Sequence, residues 1–251
     1  MTQTTNNMVE NNSNKSKLVA KMRVAVRIRP PLPREINSNG KFLTCVGIGP
    51  TTDKGQTIFI NSSDQPVIMS HSSNGGKISR YTFDKIFAPN TTQDHVYNYT
   101  MEPLVQAVLD GYNATILAYG QTGSGKTHTI LGEKGDREGL TGRAIRRILQ
   151  ESSVSSASLS ILQVYQDNVF DLLSSEKGDS LTVRQTYQGV KIDELTEIIV
   201  MDMEEVYGLL KQAQKNRAVG GTLLNEVSSR SHMIICITVR QSRVVNRLSM
   251  N

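Results

Sequence analysis

The sequence Gly120-Gln121-Thr122-Gly123-Ser124-Gly125-Lys126-Thr127 fits the pattern G-x-x-x-x-G-K-[ST], which is typical of loops that bind nucleotide phosphates. Residues 114–119, directly before it, are an uncharged and mostly apolar run that predicts a buried strand leading into the loop. After Lys126, the spacing of Thr127, Ile130 and Leu131 allows a helix to begin. Strand, glycine-rich loop and helix in this order are the context that the pattern requires.

The residue types in this loop explain how it would hold a triphosphate. Glycines allow the backbone to fold around an anion with its N–H groups pointing inward, and the start of a helix adds partial positive charge. Lys126 can reach the β- and γ-phosphates, and the Thr127 hydroxyl can bind Mg²⁺. The alternative is a glycine-rich turn that binds nothing. The sequence therefore predicts a chain that binds a nucleoside triphosphate, or descends from one that did.

Length and composition indicate one sizeable α/β domain, or two small ones, in 251 residues. No apolar run approaches the ~20 residues that span a bilayer, and the Asn/Thr-rich N-terminus has no apolar segment typical of a secretion signal. Cys45 and Cys236 lie far apart without metal-type spacing, which indicates free thiols in a reducing compartment. The net charge of +5 permits an acidic partner, whether nucleic acid, anionic lipid or an acidic polymer.

The pattern of apolar residues divides the chain into a leader and one domain. Residues 1–17, rich in Asn, Ser and Thr, are predicted to be disordered, and the domain occupies residues 18–251. Residues 22–29 alternate as a half-buried strand that the following prolines end, and short apolar pieces within residues 40–80 predict a small antiparallel lobe. Strands and helices then alternate, which predicts a mainly parallel sheet with helices on both faces.

Three further features are predicted at definite positions. Thr91 and Asp94 fit a capping box that opens a helix, and Pro103 inside that helix predicts a kink or break beside it. Residues 152–158 are predicted to be a serine-rich linker. Residues 159–165 then form a strand of the fully buried type.

A second polar segment, Asn225-Glu226-Val227-Ser228-Ser229-Arg230-Ser231-His232, precedes an apolar strand. A phosphate-binding loop needs a partner that detects the γ-phosphate and holds the other side of Mg²⁺. This segment offers hydroxyls for a metal ion or water, an amide, and an arginine that could stabilise charge or hold a loop. Taken alone, such a segment is more often a simple polar connection.

Together these segments resemble the P-loop and the switch I signature of the kinesin motor domain. Further matches occur in the family's order, namely Arg27-Ile28-Arg29-Pro30, Phe83-Asp84-x-x-Phe87, Gln93…Val96-Tyr97 and Gly111-Tyr112-Asn113-Ala114-Thr115. The resemblance runs from about residue 21 to residue 240. It implies a P-loop NTPase of the α/β class, with a kinesin-like mixed central sheet and helices on both faces.

The resemblance implies a role for each matching position in binding ATP and Mg²⁺. The phosphates would contact the loop residues Gly120, Gln121, Thr122, Gly123, Ser124, Gly125, Lys126 and Thr127. Adenine would contact Arg27, Arg29, Pro30 and His128. Mg²⁺ would contact Thr127 and Ser229, and Arg230 would pair with a glutamate of switch II. Asn225 and Ser228 would address the γ-phosphate and the attacking water, so the catalytic set is Lys126, Asn225, Ser228 and Arg230.

The family's switch II segment, D-L-A-G-S-E, has no counterpart after switch I in this sequence. Asp136 and Asp167 are formal candidates for its acidic residue, and both are rejected because the residues around them do not match. In the family that strand lies between the P-loop strand and the switch I strand, so we expect unpaired strand edges there. We therefore expect residues 18–251 to be the N-terminal part of a kinesin motor domain, incomplete at its C-terminus and without the main microtubule-binding helices.

The resemblance implies a motor in which MgATP hydrolysis drives movement along microtubules, in the cytoplasm and on the cytoskeleton. The intact parent could dimerise through a stalk outside this chain, and neither a nucleic acid partner nor membrane insertion is expected. One alternative is a GTPase or small-molecule kinase, although no N-K-x-D base-reading motif follows the switch segment. The other is a truncated form that binds nucleotide or tubulin without turnover.

Overall fold

The computed structural model describes residues 22–36, 46–61, 78–175, 180–187, 189–219 and 231–242. The chain divides into two compact units, one made of residues 1–27 and 33–86 and the other of residues 28–32 and 87–251. The predicted leader, residues 1–17, lies outside the described residues. Within the described parts of the chain, we find no helix that is both long and apolar enough to cross a membrane.

The first unit is built from β-strands. Strand β1 (Ala25–Arg27) pairs with β5 (Lys85–Phe87), and an antiparallel meander is formed by β2 (Val46–Thr52), β3 (Gly55–Asn61) and β4 (Ile78–Phe83). Asp84 separates β4 from β5, and its carboxylate accepts a hydrogen bond from the Val24 N–H at 2.8 Å. The antiparallel lobe predicted within residues 40–80 is confirmed where the structure describes it.

Strand β1 is shorter and less buried than the alternating pattern predicts. Met22 and Val24 were expected on the buried face, but their exposed fractions are 84% and 43%. Only Ala25–Arg27 enter a ladder, and no strand continues into the prolines that follow. Alternation shows which residues share a face, whereas burial also requires another layer over that face.

The second unit contains the α-helices of the described residues, which are α1 (Gln93–Thr100), α2 (Glu102–Leu109), α3 (Lys126–Ile130), α4 (Leu140–Leu149) and α5 (Met203–Val219), while a short 3-10 helix, Pro33–Glu35, lies in the first unit. The predicted break occurs at Met101, because Pro103 lies in the first turn of α2, the place where a helix tolerates proline. The cap of α1 is Thr92, one position after the predicted Thr91, and its hydroxyl accepts from the His95 N–H at 3.2 Å.

The main sheet of the second unit is centred on β6 (Val154–Tyr165). It pairs with β10 (Ile198–Val200), β11 (His232–Gln241) and β7 (Asn168–Asp171), while β8 (Val183–Thr186) and β9 (Gly189–Ile192) form a separate hairpin. All of these pairs are antiparallel, so the prediction of a mainly parallel sheet is wrong for the described strands of this unit. Periodicity identifies strands, but their direction depends on where each connection crosses the sheet.

The predicted serine linker is also wrong, because residues 154–158 belong to β6. Ala157 and Ser158 are each only 1% exposed. The hydroxyl of Ser158 donates to the Glu197 carboxylate, which satisfies the polar group that burial removes from water. Small polar residues therefore occupy a buried strand here because a partner on a neighbouring segment is available.

One hydrophobic core holds the second unit together and anchors the predicted P-loop region. Leu159 and Ile161 of β6 and Val206 of α5 are fully buried in it. Ile130 and Leu131, at the end of α3, pack against the same core. Burying apolar area is worth roughly 25 cal/mol per Å², so this contact fixes the helix that follows the glycine-rich loop.

Candidate nucleotide-binding site

The glycine-rich loop, residues 120–127, runs directly into α3. Gly123 has φ 78° and Gly125 has φ 97°, and Gly125 is the capping residue of the helix. These left-handed values would cost a residue with a Cβ atom roughly 1–2 kcal/mol. The Ser124 N–H donates to the Gln121 carbonyl at 3.2 Å and closes a turn between them. The glycines of the pattern thus stand where the backbone needs glycine.

The Lys126 side chain lies across this loop. Its ammonium donates to the carbonyl oxygen of Gly120 at 2.6 Å and to that of Gln121 at 2.9 Å. Lys126 is also the first residue of α3, so the side chain turns back from the helix to the start of the loop. The positive charge that a phosphate would need is therefore held within the eight residues of the sequence pattern.

Thr127 and His128 follow in the first turn of α3, and both are exposed. The Thr127 carbonyl accepts from the N–H groups of Leu131 at 2.8 Å and Gly132 at 3.1 Å. Its hydroxyl is a hard oxygen ligand at the surface, of the kind that Mg²⁺ uses beside phosphate oxygens and water. Lys126, Thr127 and His128 therefore follow the glycines of the loop directly in the first turn of α3, and their roles in binding stay predictions.

The strand predicted before the loop does not form. Residues 114–119 have no strand assignment, and among the described residues none forms a backbone hydrogen bond with them. Leu117 is 81% exposed and Tyr119 is 96% exposed, so the predicted burial is also wrong. The physical reason is that a strand exists only through its neighbours, and an apolar run without a paired neighbour gains neither ladder bonds nor cover.

The predicted adenine-side residues fall in both units. Arg27 ends β1 in the first unit, and burial lowers the pKa of its guanidinium below the ordinary value. Arg29 and Pro30 belong to the second unit, as the loop does, and Arg29 donates to the Pro30 carbonyl at 3.1 Å. A joint role of these residues with His128 stays a prediction.

The predicted switch I residues Asn225, Ser228, Ser229 and Arg230 lie outside the described residues. The segment's next residue, Ser231, is described and is 8% exposed. Arg217, near the end of α5, donates to the Ser231 hydroxyl at 3.1 Å and to its carbonyl at 3.0 Å. Burial lowers the pKa of Arg217. The arginine thus links α5 to the start of β11.

The two rejected acidic candidates lie in turns. Asp136 is in the loop after α3, and its carbonyl accepts from Arg143 at 3.3 Å. Asp167 has φ 60° in the tight turn between β6 and β7. Within the described residues, no group of three or more His, Cys, Asp or Glu side chains could hold a metal ion.

Sequence reasoning missed a polar cluster centred on a buried carboxylate, made of Glu138, Arg146 and Tyr207. The Glu138 carboxylate, whose residue is 6% exposed, accepts from Arg146 at 3.1 Å and from the Tyr207 hydroxyl. The bond to Glu138 raises the pKa of Arg146, and burial followed by the same carboxylate raises the pKa of Tyr207. No local pattern marks Glu138 as buried, because its partners come from two different helices.

The sequence pattern identifies Gln93 only as one of the residues that match the kinesin motor domain, and it predicts no role for this residue. Its spacing to Val96 and Tyr97 is that of one helix face, and all three residues are buried. A polar residue at the first position of an apolar stripe was therefore the signal that could have identified it. Its amide contacts the helix that follows the loop.

Comparison with known proteins gives the family. The sequence matches the family model for the kinesin motor domain over residues 27–250. The chain belongs to the kinesin motor family. A solved structure of a fast kinesin superposes with a TM-score of 0.69 at 29% identity, and the match covers 87% of this chain and 59% of that one. The fold is accordingly that of a P-loop NTPase of the α/β class.

Several curated kinesins are similar in sequence. Kinesin-like protein 3 of Schizosaccharomyces pombe is 36% identical, over 88% of this chain and 38% of that protein. Chromosome-associated kinesin KIF4 of Mus musculus is 34% identical, over 88% of this chain and 18% of its own length. Kinesin-like protein KIF27 of Mus musculus is 38% identical, over 88% of this chain and 15% of that protein. The chain thus spans less than two thirds of the length of these relatives.

Proposed function

We propose that this chain binds MgATP at residues 120–127 and that the protein it represents is an ATP-dependent microtubule motor. The observation that carries the proposal is the Lys126 ammonium held across a loop with left-handed glycines, in a chain of the kinesin motor family. The structure of the fast kinesin was described for its implications for ATPase mechanism and interactions with microtubules, and this relative supports both halves of the proposal. The cytoplasm and the cytoskeleton are the corresponding locations.

The described residues have distinct tasks in this proposal. The loop N–H groups and Lys126 bind the phosphates, because an ammonium carries three donors and can bind a phosphate oxygen while keeping both carbonyl bonds. The exposed Thr127 hydroxyl suits Mg²⁺, with Ser229 proposed as its second protein ligand. Bound Mg²⁺ neutralises charge on the phosphates. Arg27, Arg29, Pro30 and His128 are proposed to hold adenine.

Hydrolysis would depend on positioning rather than on covalent chemistry. Asn225 and Ser228 are proposed to orient the γ-phosphate and the water, and Arg230 is proposed to hold the switch segment in place. Loss of the γ-phosphate would release the switch residues and pass the change to the face that binds the microtubule. A stalk-mediated dimer of the whole protein belongs to the same proposal.

A second candidate is a chain that binds nucleotide or tubulin without turnover. One observation favours it, which is that Asp136 and Asp167 occupy turns of their own and leave the P-loop without an acidic partner among the described residues. The two candidates make the same prediction for binding and opposite predictions for phosphate release.

One experiment on the full chain separates these possibilities. A fluorescent MgATP analogue is titrated and then displaced with ATP or GTP. Stronger displacement by ATP supports the proposal that this site binds ATP, whereas equal or stronger displacement by GTP contradicts that proposal. Co-sedimentation with microtubules is measured beside phosphate release. Binding with stimulated release supports the motor, binding without stimulated release supports the second candidate, and no binding to microtubules contradicts the track assignment.

A further inference from the structure

Gln93, the first residue of α1, carries a further inference because its buried amide reaches the helix of the P-loop. The residue is 4% exposed. Its Nε2 donates to the carbonyl oxygen of His128 at 2.6 Å and to that of Arg137 at 3.3 Å. His128 follows Thr127 in α3, and Arg137 lies in the loop after α3. One amide therefore joins the P-loop helix to the segment beyond it.

The Gln93 amide donates to the His128 carbonyl, whereas the N–H that would bond this carbonyl in a regular helix donates to another residue. In a regular α-helix the His128 carbonyl accepts from the N–H of Gly132. Here that N–H donates to Thr127 at 3.1 Å, beside the N–H of Leu131 at 2.8 Å. The bond also satisfies the buried Gln93 amide, which would be destabilising without an acceptor. The Gln93 amide therefore stabilises the end of α3.

The bond to Arg137 holds the other side of the same connection. The Arg137 carbonyl also accepts from the Glu133 N–H at 3.0 Å, and the Gly139 N–H donates to the Leu131 carbonyl at 3.0 Å. These bonds return the loop to the end of α3, so the loop and the helix end form one closed segment. The single amide of Gln93 contacts both parts of that segment.

Gln93 is itself held in place by its neighbours on α1. The Thr92 hydroxyl caps the helix, and the Asp94 carboxylate accepts from Arg143 of α4 at 3.0 Å. The Nε of that arginine donates to the Glu138 carbonyl at 3.0 Å. The first turn of α1 is therefore hydrogen-bonded to α4, and these bonds hold the backbone of Gln93 where its side chain contacts α3.

We infer that Gln93 is a positioning residue that fixes the placement of Lys126 and Thr127 and so sets the affinity of the P-loop for phosphate. The reason is the length of α3, which has 5 residues, so that a displacement at its end moves its first residues too. The inference rests on the proposed function, because it needs the loop to bind MgATP. Gln93 itself contacts carbonyl groups of the chain and takes no part in the chemistry.

Three variants of the full chain test this inference with a fluorescent MgATP analogue. Gln93→Leu removes the donor at similar size, and we expect affinity to fall roughly tenfold. Gln93→Glu cannot donate when ionised but can donate when protonated, so its affinity relative to wild type should rise as pH falls through the pKa of the carboxyl group. Gln106→Leu is the matched control, because Gln106 is exposed on α2 and donates only to Asp110 among the bonds the structure gives it.

The outcomes separate this inference from the proposed function. A wild-type chain that binds no analogue refutes the proposed function and the inference with it. A wild-type chain that binds, with Gln93→Leu binding equally well, overturns the inference alone. If Gln93→Leu loses its far-UV circular dichroism signal, the pH series of Gln93→Glu decides, and an affinity ratio to wild type that stays constant with pH overturns the inference.

Discussion

The ammonium of Lys126 lies 2.6 Å from the carbonyl oxygen of Gly120, so the last lysine of the loop pattern is hydrogen-bonded to its first glycine. The bond spans residues 121–125, which form bends and turns. This bond holds one positive charge against the backbone of the loop. Under the proposed function, a charge already held at the loop limits the reorganisation that phosphate binding requires, which favours affinity.

Replacing Lys126 by alanine should abolish most nucleotide binding. The substitution removes both carbonyl bonds and the charge, and we expect the affinity for MgATP to fall about 10- to 100-fold. Isothermal titration calorimetry of the full chain measures the change. Lys134→Ala is the control, because Lys134 is 64% exposed and pairs with Glu204 outside the loop. Undiminished affinity in Lys126→Ala would refute the P-loop assignment.

Two glycine substitutions should have opposite effects on stability. Gly125 has φ 97° and open space where a Cβ atom would stand, so Gly125→Ala should destabilise the fold by roughly 1–2 kcal/mol through backbone strain alone. Gly208 lies in α5, also with open space, and Gly208→Ala should stabilise it by roughly 0.4–1 kcal/mol. Urea unfolding of both variants measures the free energies. Equal effects would show that the left-handed conformation of Gly125 is not required.

The contact between Glu138 and Tyr207 should give a measurable coupling energy. Glu138→Ala removes a buried acceptor, and Tyr207→Phe removes the hydroxyl that donates to it. Because Arg146 is 43% exposed and can turn to water, we expect about 1–2 kcal/mol for each single change and a coupling of about 0.5–2 kcal/mol.

The control for this cycle is Glu133→Ala. The ion pair of Glu133 with Arg137 is exposed, at 60% and 71% of the two side chains, so its loss should change stability by no more than about 0.5 kcal/mol. Additive effects of Glu138→Ala and Tyr207→Phe in a urea-unfolding cycle would contradict the hydrogen bond between the two residues.

Tyr97 should make the fold sensitive to alkaline pH. Burial, followed by its hydrogen bond to Glu102 at 2.5 Å, raises the pKa of the hydroxyl above its ordinary value of 10.0. The unfolded chain therefore loses this proton first, and the stabilisation is complete below pH 10 and is lost as pH rises further.

The measurement is urea unfolding between about pH 8 and 11, a range that brackets the ordinary tyrosine pKa. Wild type should lose stability more steeply than Tyr97→Phe above pH 10. Tyr119→Phe is the matched control, because Tyr119 is 96% exposed and the substitution removes the same hydroxyl group from the surface. Parallel curves for wild type and Tyr97→Phe would exclude this contribution.

The local backbone features that were predicted correctly are those that depend on nearby residues. The loop, its glycines and the start of α3 all lie within residues 120–130. Glycines at the left-handed positions and the start of the helix can therefore be predicted from consecutive residues. The break at Met101 is of the same kind, because Pro103 excludes a continuous helix whatever surrounds it. Such features need no knowledge of the rest of the fold.

The predictions that failed needed partners from elsewhere in the chain. Residues 114–119 have the composition of a buried strand, but Leu117 is 81% exposed because no described neighbour covers it. Ser158 is predicted to lie in a linker because the residues around it are polar. It is buried instead, and its hydroxyl donates a hydrogen bond to the Glu197 carboxylate. Local composition describes what a segment can do, whereas pairing and cover decide what it does.

The sequence by itself determined the glycine-rich loop, the start of the helix after it and the family, because these follow from residue types at short, fixed spacings. Only the tertiary structure decided strand direction, the burial of Glu138, and the hydrogen bond from Gln93 to His128. Gln93 and His128 are 35 positions apart in the sequence, and Glu138 and Tyr207 are 69 positions apart. No local spacing of residues shows that these pairs meet. Burial and hydrogen-bond partners are properties of the packed chain, so they appear only when the core has brought distant segments together.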